Sequence, residues 1–316
     1  VEGIVPEFLT MLKGVIDSPD IPLNVSRSYL QADGAVKKIS SYITRKVADK
    51  LKSLFNNNRE DFEKKWDDIK VVIEYGMLTE DKFFEKAQKF TLYPTVDGEY
   101  FTYEELEEKI KDNQTDKDGK MVILYASNKD EQHSYISAAK DKGYQVLLLD
   151  TPIVPHLIQK LESSKENISF VRVDSDHVDN LIKKDEDKTS KLSEEEQEKL
   201  KADFEKVVPK EKYTVQLEAM DSNAAPLIIT QPEFMRRMKE MQQTGGGGMF
   251  GMGNMPEMYN LVVNTNNDLI SSLVGKEEAE QERIIKQSLD LARLSQNLLK
   301  GEELTNFVKR SFEMIK

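Results

Sequence analysis

The sequence predicts a multi-domain protein of the α/β and α+β classes, built from a helical segment, a small three-layer α/β subdomain and an α+β C-terminal domain. Apolar residues recur at helical spacing from Val36 onward, which indicates a long amphipathic helix. Short apolar runs alternate with helical stretches between residues 120 and 175, as in a parallel sheet with crossover helices. A nearly all-charged run over 183–206 then precedes a third group of strands. A chain of 316 residues can bury a core in each of two or three such units.

The composition favours a soluble, helix-rich protein and argues against several functional classes. Hydrophobic residues make up 38% and charged residues 32% of the chain, which leaves much solvated surface. A formal net charge of −12 argues against a general nucleic-acid-binding protein, because neutralising phosphates requires a surplus of Lys and Arg. The lack of cysteine excludes disulfides and thiol catalysis. His133, His156 and His177 lie too far apart in sequence for a metal-ligand motif, so we expect no bound metal.

The sequence also bears on localisation. No apolar run approaches the ~20 residues of a membrane span, and no signal-peptide pattern opens the chain. We therefore expect a cytoplasmic protein that binds neither a membrane nor a nucleic acid. The chain begins at Val1 rather than at a methionine, which we interpret as the start of a piece of a longer protein.

The first 110 residues are predicted to be mainly helical. Pro6 leads into EFLTMLKG, a short helix that ends at Gly14, and the prolines of IDSPDIPLNVSRSYLQ then favour a loop. The polar face of the long helix that follows is basic, through Lys37, Lys38, Arg45, Lys46, Lys50 and Lys52. Two further helices are predicted around REDFEKKWDDIKVVIEYG and TEDKFFEKAQKF. Thr102 and Glu105 have the spacing of a capping box, which predicts the start of another helix that ends near residue 112.

The rest of the chain alternates strands with helices. The runs KMVILYAS, YQVLLLD and ISFVRVD are separated by predicted helices near 129–142 and 152–163, an order that predicts a small parallel sheet. Ser193 and Glu196 predict the capped start of a helix that runs to about Val207. Strands follow at YTVQLEAM, PLIIT and MYNLVVN, and two helices near 277–299 and 302–315 end the chain.

The segment TGGGGMFGMGNM, residues 244–255, matches glycine patterns of phosphate-binding loops. Such loops follow a strand and open a helix, whereas these glycines follow the predicted helix QPEFMRRMKEMQQ and precede Pro256. The Lys-Ser/Thr ending of a Walker loop is missing as well. The segment therefore favours a flexible linker over a phosphate loop.

Methionine is concentrated next to these glycines. Seven of the twelve methionines lie between residues 235 and 258, and Met235, Met238 and Met241 repeat at i+3 on the preceding helix. A stripe at that spacing is typical of a core-facing helix. Unbranched, polarisable methionine also suits a surface that accepts varied apolar partners. The pattern leaves both a core and a binding surface open.

Two other features allow both a structural and a functional interpretation. Arg27, four residues before Gln31 in the loop PLNVSRSYLQ, is either solvated or an arginine finger for a phosphate supplied from elsewhere. The wide apolar faces of the two terminal helices either pack on their own domain or complete a two-fold, four-helix dimer interface. No G-x-S-x-G or H-E-x-x-H motif occurs, so the sequence offers no catalytic constellation of those kinds.

The stretch GVIDSPDIPLNVSRSYLQ and the long basic helix after it closely resemble the middle domain of the heat-shock protein 90 family of molecular chaperones. GYQVLLLD, EFMRRMKEMQ and VVNTNNDLISSL fit the same family, so nearly the whole chain follows its order. The resemblance implies that residues 1–115 are the end of the first middle subdomain plus connecting helices. Residues 116–185 would be the small α/β middle subdomain, and 186–316 the C-terminal dimerisation and client-binding domain. The family's N-terminal ATP-binding domain has no counterpart in these residues.

The resemblance also implies roles for individual residues. Arg27 matches the loop arginine that reaches the ATP γ-phosphate, Gln31 the glutamine that assists it, and Asn24 belongs to the same motif. Met235 and Met238 match the amphipathic helix that lines the client-facing cleft. The predicted client-binding surface is completed by Met241, Met249, Phe250, Met252 and Met255. The last two helices match the family's dimer interface, with Leu289, Ala292, Leu298, Leu299, Leu304, Phe307, Val308 and Phe312 as the predicted contacts.

The resemblance implies a homodimeric clamp that binds unfolded or partly folded client proteins. ATP with Mg would bind the N-terminal domain of full-length family members, so we expect no cofactor and no enzymatic activity from this chain alone. The alternative is a stand-alone dimeric scaffold or adaptor without nucleotide linkage, in which Arg27 is solvated. A nucleotide-using enzyme built on the small α/β unit is disfavoured, because the turn NKDEQHS after KMVILYAS has no glycine.

Overall fold

The structure is a computed structural model that describes residues 5–11, 34–184, 188–244 and 258–315. The chain groups into two compact units, Val1–Lys111 with Leu149–Glu166, and Asp112–Leu148 with Asn167–Lys316. Both units combine helices with a small sheet, which confirms the predicted multi-domain α/β and α+β class. The threefold division at residues 115 and 185 stays a prediction.

Residues 5–11 and 34–111 form mostly helices. In chain order the elements are a 3-10 turn at Glu7–Leu9, α1 (Gly34–Asn57), α2 (Arg59–Lys64), α3 (Trp66–Thr79), α4 (Asp81–Ala87), the antiparallel pair β1 (Tyr93–Pro94) and β2 (Tyr100–Phe101), and α5 (Tyr103–Ile110). The predicted capping box is confirmed: Thr102 accepts from the Glu105 backbone, and the Glu105 carboxylate accepts from the Thr102 backbone. The predicted helix over residues 59–76 is divided at Lys65, and EFLTMLKG is a 3-10 turn in its described part.

Aromatic side chains fill the core of the first unit. Trp66, Phe83 and Phe90 are at most 1% exposed. The rings of Phe83 and Phe90 pack edge to face with 6.2 Å between their centroids. Gly76 of α3 makes room for this core, since a Cβ there would lie 2.6 Å from Phe8 Cδ2 and 2.9 Å from Phe83 Cδ1. Only a residue without a side chain allows so close an approach.

The predicted parallel sheet is confirmed. The elements are β3 (Met121–Ala126), α6 (His133–Asp141), β4 (Val146–Leu148), α7 (Val154–Ser164), β5 (Ile168–Arg172) and α8 (Val178–Leu181). The strand order is β4-β3-β5, with both pairs parallel. All six residues of the central strand β3 are buried, as expected for a strand covered on both faces. Helix α7 is grouped with the first unit and the sheet with the second.

The C-terminal part is an α+β arrangement. Its elements are α9 (Glu194–Val207), β6 (Tyr213–Glu218), β7 (Leu227–Thr230), α10 (Glu233–Thr244), β8 (Tyr259–Asn264), α11 (Asp268–Ser271), α12 (Glu278–Leu294) and α13 (Gly301–Ile315). Strand β8 is central, parallel to β6 and antiparallel to β7. The predicted Ser193–Glu196 capping box opens α9. Helix α12 ends at Leu294 rather than near residue 299, and Asn297 beyond it has a left-handed φ of 57°.

Candidate functional sites

Helix α10 buries a charged side chain and exposes an aromatic one. Arg236 is 3% exposed, whereas Phe234 is 69% exposed. At 3.6 residues per turn, one face of the helix consists of Glu233, Arg236, Arg237 and Glu240. The other side consists of Phe234, Met235, Met238 and Met241, of which the three methionines are half-buried. A surface helix ordinarily turns its apolar stripe toward the core, whereas the most buried of the side chains described on this helix is that of Arg236, with the methionines half-buried.

Arg236 is the centre of the contacts on the charged face. Its Nη2 donates to the hydroxyl of Tyr125 on β3 at 2.7 Å and to Glu233 Oε1 at 2.6 Å. Its Nη1 donates to Glu240 Oε2 at 2.5 Å. The guanidinium also lies over the Tyr125 ring, 5.7 Å from its centroid. Arg236 therefore links both carboxylates of its own helix to the central strand of the parallel sheet.

Two more arginines complete what we call the α10 ion-pair network, made of Arg172, Arg236, Arg237, Asp174, Glu233 and Glu240. Arg172 of β5 donates to Glu240 Oε1 at 2.9 Å and to both Asp174 oxygens, at 2.6 and 2.8 Å. Arg237 donates to Glu233 Oε1 at 2.6 Å and to the backbone carbonyl of Phe170 on β5. Three cations face three carboxylates, which is the balance that buried charges require.

Burial changes the titration of groups in this network. Burial raises the pKa of the Tyr125 hydroxyl to about 12, so it remains a neutral acceptor for Arg236. Burial also opposes the charge of Arg236, but Tyr125, Glu233 and Glu240 outweigh it and raise the arginine pKa above its ordinary value. Near neutral pH the arginine is thus fully charged, and its hydrogen bond to Tyr125 is intact.

Phe234 is the residue of this surface that the sequence interpretation missed. It is the most exposed apolar side chain of α10 and shares the i, i+4, i+7 spacing with Met238 and Met241. That spacing is visible in the sequence, but the i+3 repeat of the methionines does not include the phenylalanine. Phe234, Met235, Met238 and Met241 together are called the α10 apolar face below.

Several predicted site residues cannot be placed. Arg27, Gln31 and Asn24 lie outside the described residues, and so does the segment with Met249, Phe250, Met252 and Met255. The linker interpretation of residues 244–255 also falls almost wholly outside them. The roles of these residues stay predictions.

The predicted dimer contacts on α12, α13 and their connection divide into a buried and an exposed group. The buried group is Leu289, Ala292, Leu299 and Phe307, with Leu298 and Leu304 half-buried. Val308 and Phe312 are 41% and 65% exposed. The buried group therefore packs within its own chain, and the exposed pair is available to a partner.

The exposed pair belongs to a larger set that extends over both terminal helices. The remaining members are Leu291, Leu294, Met314 and Ile315, which are 52%, 39%, 47% and 81% exposed. Val308, Phe312 and Ile315 share one face of α13 through their i, i+4, i+7 spacing. We call the six residues the terminal apolar surface. Polar bonds join the two helices beside it, with Arg310 donating to Gln287 at 2.9 Å and to Asp290 at 2.5 Å.

The described residues offer little for metal chemistry, and the cavity beside the parallel sheet is small. They contain no group of three or more His, Asp or Glu side chains arranged to hold a metal ion. A cavity near the carboxyl ends of β3 and β5, lined by Ser127, Gln132 and Asp174 among others, has a volume of about 140 Å³. Ligand pockets typically span ~300–1,000 Å³, so it is small for a nucleotide. Over the same residues, no helix is long and apolar enough to cross a membrane.

Comparison with known proteins gives a consistent result. The family model described as "Hsp90 protein" matches residues 1–316. The chaperone protein HtpG of Bacteroides thetaiotaomicron is 45% identical over all of this chain and 56% of its own length. HtpG of Porphyromonas gingivalis strain W83 is 48% identical over 96% of this chain and 44% of its own length. The chain thus spans about half the length of these relatives. With a family match over its full length, the chain belongs to the Hsp90 protein family.

Proposed function

We propose that this chaperone-family chain binds partly unfolded client proteins through the α10 apolar face. The observation that supports this proposal is the 69% exposure of Phe234, which lies beside three half-buried methionines while Arg236 of the same helix is buried. Exposed apolar residues that cluster on one element are typical of protein-binding sites. Flexible methionine side chains can repack against different apolar sequences, as a protein with many clients requires.

Contacts at such a surface are expected to be individually weak. Each buried apolar Å² contributes roughly 25 cal/mol, but ordering a mobile client segment and several methionine side chains offsets much of this gain. A weak, adaptable interaction suits a chaperone, because the client must leave again to complete its folding.

Client binding is tested by the triple substitution Phe234→Ser, Met238→Ser and Met241→Ser. We expect this variant to suppress aggregation of a thermally unfolded test protein less well than the unaltered chain, with an unchanged circular dichroism spectrum. The matched control is Met11→Ser, which removes an 83% exposed methionine elsewhere. Equal suppression by all three proteins would exclude the α10 apolar face as the client site, and unfolding of the triple variant would instead identify the face as core.

We further propose that two chains pair through the terminal apolar surface and act as a clamp. Support comes from the six exposed apolar residues on α12 and α13 and from the resemblance of these helices to the family's dimer interface. Pairing would bring two α10 apolar faces into one assembly, so a client could bind both. Two linked weak sites give a higher overall affinity than either alone.

Arg27 is proposed to contact the ATP γ-phosphate in the whole protein, together with Gln31 and Asn24. The support is the match of PLNVSRSYLQ to the family motif. An arginine in this role stabilises developing negative charge and transfers no proton. In a protein that includes the family's ATP-binding domain, Arg27→Ala should lower ATP turnover strongly. Unchanged turnover would favour the alternative of a scaffold without nucleotide linkage.

A further inference from the structure

The α10 ion-pair network determines which side of α10 is exposed. The four residues of its inner face are all charged, and their partners come from β3 and β5. Tyr125 of β3 contacts Arg236, Arg172 of β5 contacts Glu240, and the Phe170 carbonyl of β5 accepts from Arg237. These three links hold the charged face against the sheet, so the apolar face is oriented by polar contacts made on the opposite side of the helix.

We propose that Arg236 is the positioning residue of the client-binding helix: it fixes the rotation of α10 so that Phe234 and the methionines face an incoming polypeptide. This inference rests on the proposed function, because it assigns a cause to the orientation of the same surface. Arg236 itself touches no client. Its side chain is buried on the face opposite to Phe234.

Among the three arginines, Arg236 makes the connection that the others cannot replace. It is the most buried, with 3% of its side chain exposed against 11% for Arg172 and 18% for Arg237. It joins the central strand through Tyr125, whereas Arg172 and Arg237 bring in only β5. Its planar fork contacts three groups at once, which a single ammonium cannot do with the same geometry.

Loss of Arg236 should loosen α10 without unfolding the second unit. Glu233 keeps its bond to Arg237, and Glu240 keeps its bond to Arg172. Neither carboxylate is therefore left without a cation. The 2.7 Å bond between Arg236 and Tyr125 disappears, and the network then holds one more negative than positive charge. Rotation and fraying of the helix are the expected result, because the remaining contacts of the charged face reach β5, apart from a long bond of 3.5 Å from the Tyr125 hydroxyl to Glu233 Oε1.

The test measures binding and helix order in the same variants of the full 316-residue chain. The probe for binding is reduced, carboxymethylated α-lactalbumin, a permanently unfolded polypeptide, titrated by fluorescence anisotropy. Helix order is read from hydrogen exchange of peptides that cover residues 233–244. We expect Arg236→Gln to raise the Kd by about tenfold or more, which corresponds to ~1.4 kcal/mol, and to speed exchange in α10 alone. Arg236→Lys should have a Kd and a rate of exchange in α10 between those of the unaltered chain and of Arg236→Gln.

Two comparisons separate positioning from a general structural or charge effect. Lys239→Gln removes one positive charge from the exposed side of the same helix and should change neither readout. In a chain that already carries Phe234→Ser and Met238→Ser, Arg236→Gln should alter the Kd by less than about twofold, since there is no longer an apolar face to orient.

The possible outcomes are distinct. A normal Kd in Arg236→Gln despite faster exchange would overturn the inference. So would a further rise in Kd of about tenfold when Arg236→Gln is added to the chain that carries Phe234→Ser and Met238→Ser. If the unaltered chain fails to bind the unfolded probe, the proposed function fails. Hydrogen exchange then still decides whether Arg236 holds α10, because unchanged exchange in Arg236→Gln would exclude that role.

Discussion

At the scale of single residues, burial gives one carboxyl group of the first unit an unusual titration. Glu74 of α3 is 6% exposed and accepts a hydrogen bond from Thr151 Oγ1 at 2.5 Å. Burial and the nearby Asp150 raise its pKa to about 7, against the opposing effects of Thr151 and Lys70. Burial, and to a smaller extent the charge of Glu74, raise the pKa of the Tyr93 hydroxyl. Glu74 is therefore largely protonated in the folded protein at mildly acidic pH.

This titration predicts a stability that falls as the pH rises. The folded protein binds the Glu74 proton more tightly than the unfolded chain, whose glutamate has the ordinary pKa of 4.5. The stabilisation is therefore complete below pH 4.5 and is lost as the pH rises to about 7. Through this one group, the free energy of unfolding should drop by on the order of 3 kcal/mol across that window. Urea unfolding at pH 4.5, 6 and 8 measures the change.

Glu74→Gln should remove that part of the pH dependence, because the amide carries no charge at any pH. The variant should be more stable than the unaltered chain at pH 8 and similar to it near pH 4.5. Glu85→Gln, which changes an exposed carboxyl on α4, is the control and should leave the dependence of the free energy of unfolding on pH unchanged. A Glu74→Gln profile parallel to that of the unaltered chain would show that Glu74 titrates normally.

At the scale of elements, packing decides positions where helix propensity suggests the opposite choice. Gly76 lies inside α3, where alanine would be favoured by ~1 kcal/mol. The structure gives the reason for glycine, since a Cβ would meet Phe8 and Phe83 at 2.6 and 2.9 Å. Both rings are buried and 4.7 Å apart between centroids, so they have little room to move.

Gly76→Ala is therefore expected to destabilise the protein despite the gain in helix propensity. Overpacking typically costs ~1–3 kcal/mol, which outweighs that gain. Thermal unfolding followed by circular dichroism should show a lower Tm. In a chain that already carries Phe8→Ala, Gly76→Ala should lower the Tm by less than it does in the unaltered chain, because one of the two rings that the new Cβ would meet is gone. A raised Tm in the single variant would contradict the packing explanation.

The capping boxes provide a second prediction at this scale. Ser193 and Glu196 satisfy two backbone donors at the start of α9, where Ser193 is exposed and Glu196 half-buried. Ser193→Ala should cost about 1 kcal/mol of stability, whereas Ser193→Asp should cost little, because aspartate also accepts from the N3 backbone. Urea midpoints of the two variants test this difference. Equal losses would mean that the cap contributes through something other than its acceptor oxygen.

At the scale of the whole molecule, the terminal apolar surface and the net charge act in opposite directions on pairing. The exposed apolar residues of α12 and α13 favour association, while a net charge of −12 on each chain opposes it. Repulsion between distant charges is screened within ~8 Å at physiological ionic strength. Proposed dimers should therefore become tighter, not weaker, as salt rises from low to physiological concentration.

Phe312→Glu is expected to convert the proposed dimer into a monomer. The side chain is 65% exposed, so the substitution should spare the fold, but it would place a charge within the apolar interface. Sedimentation equilibrium at about 10 µM should show the mass of two unaltered chains and of one variant chain. Met11→Glu changes another exposed apolar residue and should leave the mass unaltered. A dimeric Phe312→Glu protein would exclude this surface as the interface.

The sequence by itself determined the features that depend on local spacing. The longer helices, the strands of the two three-stranded sheets, the parallel pairing of the first of these sheets and both capping boxes follow from periodicity and from residues a few positions apart, whereas the strand order and the short elements β1, β2, α8 and α11 do not. The family match also rests on linear order. Helix ends were less predictable: α12 ends at Leu294, and the left-handed conformation of Asn297 beyond it is not evident from the apolar pattern.

Only the tertiary structure decided which faces are buried. The methionine stripe on α10 was compatible with a core or a surface, and the structure leaves its methionines half-buried while it buries Arg236 against Tyr125, 111 residues away in sequence. The apolar residues of α12 and α13 looked alike in the sequence, yet Phe307 is buried and Phe312 exposed. Periodicity identifies a face but not the neighbour that covers it. That neighbour is set by contacts between distant parts of the chain, and on α10 an ion-pair network takes the place of apolar burial.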